Sequence, residues 1–165
     1  MIVCFTRATS ISSLLIRLVT WSDWSHVAIL NAPSIEAITP ETEIIDSTFI
    51  HGGVKLRTVK ELLEPASTWA YVEIPSKDDM GIWHAARSQI GKKYDWTALA
   101  GIFFKQRSWG RDDAWFCNEL VEWCKLKVGE PRFLALVSTL TPQHTWMIKN
   151  PKDPIVRKKD AGFYY

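Results

Sequence analysis

The chain of 165 residues is 47% hydrophobic and 23% charged, so it fits one folded domain with a real core and not a disordered segment. Its formal net charge of +2 is too small to make nucleic acid the default partner. Three cysteines, Cys4, Cys117 and Cys124, argue against a disulfide framework, and the lack of any CxxC or His-x-x-x-His spacing argues against a structural zinc.

Residues 1–6 read as a strand, with Cys4 as a small packed hydrophobe. Ser10 is a helix N-cap, and apolar residues at 11, 14, 15, 18 and 19 keep helical spacing. Residues 25–30 form a strand headed by His26, and Asn31-Ala32-Pro33-Ser34 is a turn. A strand over 43–49, a turn at His51-Gly52-Gly53 and a strand over 54–57 make an antiparallel meander. Thr58 caps a short helix over 59–63, with Glu61 at the capping-box position. A strand follows over 69–74, then a helix over 77–90 stopped by Gly91.

Asp95 can cap a helix through Ala98, Leu99 and Ile102, and residues 105–111 read as a polar loop. The helix that bears Cys117 is expected over 113–128, capped by Asp112 and Asp113 and closed by Gly129 and Pro131. A last short helix starts after Thr141-Pro142. The segment from Lys149 to Lys159 reads as a solvated basic tail, with a surface for anionic polymer or lipid headgroups as the alternative. There is no internal repeat or interdomain linker, so residues 1–165 read as one domain, with 151–165 an extended basic tail. Nothing resembles a signal peptide, and no run is long enough to span a bilayer. The expectation is a cytoplasmic product as encoded, released to the cell wall only with help from another system. Nine tryptophans are scattered from Trp21 to Trp146, and some of them suit the lining of a groove.

A cysteine in the opening turn of a helix meets unpaired backbone N–H groups and the positive end of the helix dipole, which favour a thiolate. An imidazole beside it can take the proton. Cys117 and His26 supply these two halves. On periodicity alone Cys117 also fits a core stripe with Leu120, Val121, Cys124 and Val128, and His26 also fits a packed strand-edge ring. Cys124 reads as core. His51, His84 and His144 have less specific contexts.

Four short stretches carry a resemblance. Trp24-Ser25-His26-Val27-Ala28-Ile29, Gly91-Lys92-Lys93-Tyr94-Asp95-Trp96, Phe116-Cys117-Asn118-Glu119-Leu120-Val121 and Thr141-Pro142 occur in that order. Together with the opening strand and helix, they resemble the circularly permuted branch of the NlpC-type papain-like superfamily, the group that includes YiiX-like proteins and lecithin retinol acyltransferase relatives. In that branch the histidine strand precedes the cysteine helix, as His26 precedes Cys117 here.

The resemblance implies an α+β, papain-like fold in which a small antiparallel sheet packs on the cysteine-bearing helix. It implies a cysteine peptidase or amidase with Cys117 as nucleophile and His26 as base, without a cofactor or metal. The third residue that orients the imidazole is Asp46, with Glu36 in reserve; a solvent-facing strand carboxylate is the other reading of Asp46. Tyr94 and Trp24 are the candidate substrate contacts, and a core tyrosine is the other reading of Tyr94. Asn118 stands where the family more often has Ser. The leading substrate is a peptide crosslink or stem of peptidoglycan, in a bacterial or phage setting. A lipid or ester acyl hydrolase or acyltransferase is the second reading, and a non-catalytic cell-wall or phage-particle binding module the third.

Overall fold

A computed structural model describes residues 1–95, 114–133, 140–147 and 156–159. The expected helix through Ala98, Leu99 and Ile102, the loop over 105–111 and the caps Asp112 and Asp113 lie outside the described residues. The elements run β1 (Ile2–Ala8), α1 (Ile11–Thr20), β2 (His26–Leu30), a 3-10 turn (Ile35–Ala37), β3 (Glu43–Thr48), β4 (Gly53–Thr58) and α2 (Val59–Leu63). They continue with β5 (Ala66–Glu73), α3 (Asp79–Arg87), β6 (Lys93–Tyr94), β7 (Ala114–Trp115), α4 (Cys117–Lys127), α5 (Pro142–Met147) and β8 (Val156–Lys158).

The strands form one sheet in the order β7-β6-β4-β3-β2-β1-β5-β8, so the expected small sheet is instead eight-stranded among the described residues. The meander over β1 to β4 is antiparallel, β5 returns to pair with β1, and β6 and β7 pair in parallel. Strand alternation sends Val3, Phe5, Val27, Ile29 and Ile45 to one face. There they pack with Cys117, Leu120, Val121 and Cys124 of α4. Ile2, Cys4, Ala28, Leu30 and Ile44 point to the other face, against Val59, Leu62 and Leu63 of α2.

Local signals place most element starts where the residues predict. Ser10 caps α1 by accepting from Ser13 N, and Thr58 and Glu61 make the capping box of α2. Gly53, at φ 138°, sits where a Cβ would lie 2.0 Å from the Lys92 carbonyl oxygen. Only glycine lets β4 approach the turn before β6 this closely.

Several boundaries and placements differ from expectation, β5 among them, which starts at Ala66 and not at 69. The apolar stripe of α1 faces outward: Ile11, Leu14, Leu15 and Leu18 are exposed, while Ser13 is buried. Ser13 Oγ accepts from Ala8 N at 3.2 Å and donates to Ser25 Oγ at 2.8 Å, and these bonds set the rotation of the helix. α3 ends at Arg87, and the chain reaches Gly91 (φ 92°) through successive turns. The cysteine helix begins at Cys117 instead of 113, because Ala114–Trp115 is taken up as a strand. Val156–Lys158 of the expected tail pairs with β5 and covers its edge, with Arg157 over the Tyr71 ring.

Candidate active site

The start of α4 is held from three directions. The Trp115 carbonyl accepts from Ser47 Oγ at 2.6 Å and from Asp95 N at 3.2 Å, and Trp115 Nε1 donates to Gln89 Oε1 at 3.1 Å. The first turn of the helix is closed from within: Glu119 Oε2 accepts from Phe116 N at 3.2 Å. Cys117 is thereby the first residue of the helix, at the positive end of its dipole and among the N–H groups that lack intrahelical partners.

His26 opens β2. Ser25 before it is fixed by its N–H and its hydroxyl, which donate to the Thr6 carbonyl at 3.1 and 3.2 Å. The β2–β3 ladder spans Ile29↔Ile45 and Leu30↔Ile44, so the registered pairing stops short of His26 and Asp46. Across this opening His26 Nε2 donates to Asp46 Oδ2 at 2.8 Å. Nδ1 is the ring nitrogen left over, and Cys117 lies near enough to the ring for its thiol and charge to favour the imidazolium. The His26 side chain is 15% exposed, that of Asp46 0%, and Cys117 is 2% exposed as a residue.

Burial opposes the imidazolium, but the hydrogen bonds and charges of Asp46 and Cys117 outweigh it and lift His26 to about 9. Burial likewise opposes the Asp46 carboxylate, yet His26 and then Arg57 hold it below the usual aspartate value. Arg57 on β4 binds both carboxylate oxygens: Nε donates to Oδ1 at 3.2 Å and Nη2 donates to Oδ2. A chain of this kind can keep a proton on imidazole while a thiol beside it is ionised.

Tyr94 is buried on β6 with its ring against Phe49 and Phe116. Burial, then the charges of Cys117 and Asp95, hold its phenol well above the ordinary tyrosine value, so the hydroxyl keeps its proton. Tyr94 and His26 both line a cleft of about 130 Å³, with Ser47, Phe49, Ile50 and Arg57 among its walls. Trp24 lies elsewhere. Its ring packs against Trp146 at 4.8 Å and Phe5 at 5.9 Å in the core, where it anchors the segment entering β2. Glu36 lies in the exposed 3-10 turn, so Asp46 is the carboxylate bonded to His26. Burial pushes the Cys4 and Cys124 thiols far up, which suits their place in the core.

Arg57, Glu122 and Thr145 hold places here that no sequence pattern marks. Arg57 stands opposite Ile44 while Asp46 stands opposite Lys55, so Arg57 is a diagonal neighbour of Asp46 on one face of the ladder. That relation follows once the register is known. Asn118 meets Thr145 Oγ1 of α5 at 2.5 Å, and Glu122 meets the same hydroxyl at 2.5 Å. Asn118 and the Thr141-Pro142 element are therefore parts of one tie between α4 and α5.

Among solved structures, the fold is similar to that of YiiX. The YiiX structure, described as a metalloprotein from Escherichia coli O157:H7, matches with a TM-score of 0.56 and 22% identity. The match covers 78% of this chain and 65% of YiiX, so this chain spans just under two thirds of that protein. At this identity the likeness shows the fold, a mixed α+β arrangement compatible with YiiX-like proteins. No protein-family model matches the chain, and no curated protein does.

The metal in the description of YiiX belongs to that protein. Among the described residues of this chain, no group of three or more His, Cys, Asp or Glu side chains is placed to hold one. The Asp46 carboxylate is already shared between His26 and the Arg57 guanidinium, a fixed cation that would repel a metal ion. No helix among the described residues is long and apolar enough to cross a membrane.

Proposed function

We propose that this protein is a cysteine hydrolase of the permuted NlpC-type papain-like group that cleaves amide bonds. The observation that carries the reading is the buried Asp46–His26 bond, together with a cysteine at the first residue of α4 whose thiol and charge act on the same ring. In this mechanism the Cys117 thiolate attacks the substrate carbonyl carbon and forms a tetrahedral oxyanion. The backbone N–H of Cys117 points along the helix start and can donate to that oxyanion. The Tyr94 hydroxyl, which keeps its proton, is a second donor in reach of the cleft.

His26 then gives its proton to the leaving amine, and the C–N bond breaks to leave a thioester on Cys117. Water, deprotonated by His26, attacks the thioester and releases the acid and the thiol. Asp46 accepts from Nε2 throughout, keeps Nδ1 turned to the sulfur and stabilises the imidazolium.

The substrate class proposed is a short peptide crosslink or stem, as in peptidoglycan. Esters and lipid acyl groups are the second reading, favoured by the apolar part of the cleft at Ile16, Phe49, Ile50 and Leu62. The deciding experiment incubates purified protein with peptidoglycan fragments and, separately, with phospholipid micelles. New amine termini from the fragments, absent with Cys117→Ala, support amide hydrolysis. Fatty acid release with the fragments untouched selects the second reading. Identical products from wild type and Cys117→Ala would refute both.

A further inference from the structure

With the thiol ionised, the chain Asp46–His26–Cys117 holds two negative charges and one positive. Asp46 is shut off from water, its side chain being 0% exposed. Two buried anions that share one cation in a low-dielectric site favour return of a proton to one of them. Arg57 adds the missing positive charge. We infer that Arg57 is a positioning residue that offsets the charge of Asp46, so that Asp46 and the Cys117 thiolate are ionised together while His26 keeps its proton. The inference rests on the cysteine-hydrolase reading and assigns a part to a residue outside the proposed triad.

The geometry is that of a built pair. Arg57 meets both oxygens of Asp46 in a fork, and Oδ2 is the oxygen that also takes His26 Nε2. The far side of the guanidinium is itself held: Nη1 donates to His51 Nε2 at 3.2 Å and to the Glu61 carbonyl at 3.5 Å. The Arg57 side chain is 12% exposed and lines the cleft beside His26. A lysine could supply the charge at this place but not the two-toothed grip.

The other charged and titratable groups around the site do not replace it. Lys55, directly across the ladder from Asp46, is exposed. His51 accepts from Arg57, which requires it to be neutral. Glu61 on α2 is exposed and its carboxylate caps Thr58 N. Tyr94 keeps its proton and adds no charge, while Asp95 beside it adds a further negative one that Tyr94 feels. Each of these leaves Arg57 as the cation that faces Asp46 from β4.

The test follows Cys117 alkylation by iodoacetamide in the full chain from pH 3 to 8, read by mass spectrometry of the Cys117 peptide, for wild type, Arg57→Gln and Arg57→Lys. In Arg57→Gln the midpoint of reactivity is expected to move up by about one pH unit, about tenfold slower labelling on the acid side. Arg57→Lys should bring the midpoint back to that of wild type. A lower plateau with an unmoved midpoint in folded Arg57→Gln means a structural role only and overturns the inference. If circular dichroism shows that Arg57→Gln does not fold, Arg57→Lys decides: a wild-type midpoint supports the inference and a displaced one overturns it. If wild-type Cys117 labels no faster than Cys4 and Cys124, the hydrolase reading itself fails, and this inference with it.

Discussion

Replacing Asp46 by Asn removes the carboxylate whose hydrogen bond is the largest of the effects that hold a proton on His26, and keeps the shape of the side chain. In the folded protein His26 titrates near 9 against an ordinary value of 6.5, so its protonation is tighter in the native state than in the unfolded chain. That rise corresponds to about 3 kcal/mol at 1.36 kcal/mol per tenfold. The sign follows from proton linkage. The stabilisation is complete below pH 6.5, declines as pH rises through the interval, and is gone above about 9. Wild type should therefore lose up to about 3 kcal/mol of unfolding free energy between pH 6.5 and 9.5, over and above any slope from other groups.

Asp46→Asn should be less stable at pH 6.5 by about 3 to 5 kcal/mol, since it breaks a buried ion-pair cluster. It should also lose most of the decline between 6.5 and 9.5. Urea unfolding followed by tryptophan fluorescence at a series of pH values measures both. Glu36→Gln, in the exposed turn, should keep the wild-type curve and serves as the control. An Asp46→Asn curve parallel to wild type through this window would refute the argument, because the proton on His26 would then owe nothing to Asp46.

Two further outcomes follow from groups outside the triad. Thr145→Val removes the hydroxyl shared by buried Asn118 and Glu122, and should lower stability by about 1 to 3 kcal/mol in the same unfolding assay. Cys4 and Cys124, buried and pushed towards the neutral thiol, should stay unlabelled by iodoacetamide at pH 8 in the native protein and react fully once it is unfolded by urea.

What the chain states about itself locally is legible without a structure. The apolar runs that read as strands over 1–6 and 25–30, the Ser10 cap and the Thr58–Glu61 box depend on residues a few positions apart, and all appear in place. The order of the histidine strand and the cysteine helix is likewise a property of the sequence. The start of α4 was misplaced because Ala114–Trp115 is recruited by β6, a pairing that no local pattern announces.

The tertiary structure decided what depends on register and docking. It turned the apolar stripe of α1 outward through the Ser13–Ser25 bond, put Trp24 in the core, and laid Val156–Lys158 along the β5 edge. It chose Asp46 over Glu36 and set Arg57 behind it. In each case the partners are distant in the chain or meet only after strand register is fixed. The sequence by itself determined which residue types could form a thiol site and in what order they come. Only the packed sheet determined which carboxylate faces the imidazole and which cation faces the carboxylate, because those distances exist only after folding.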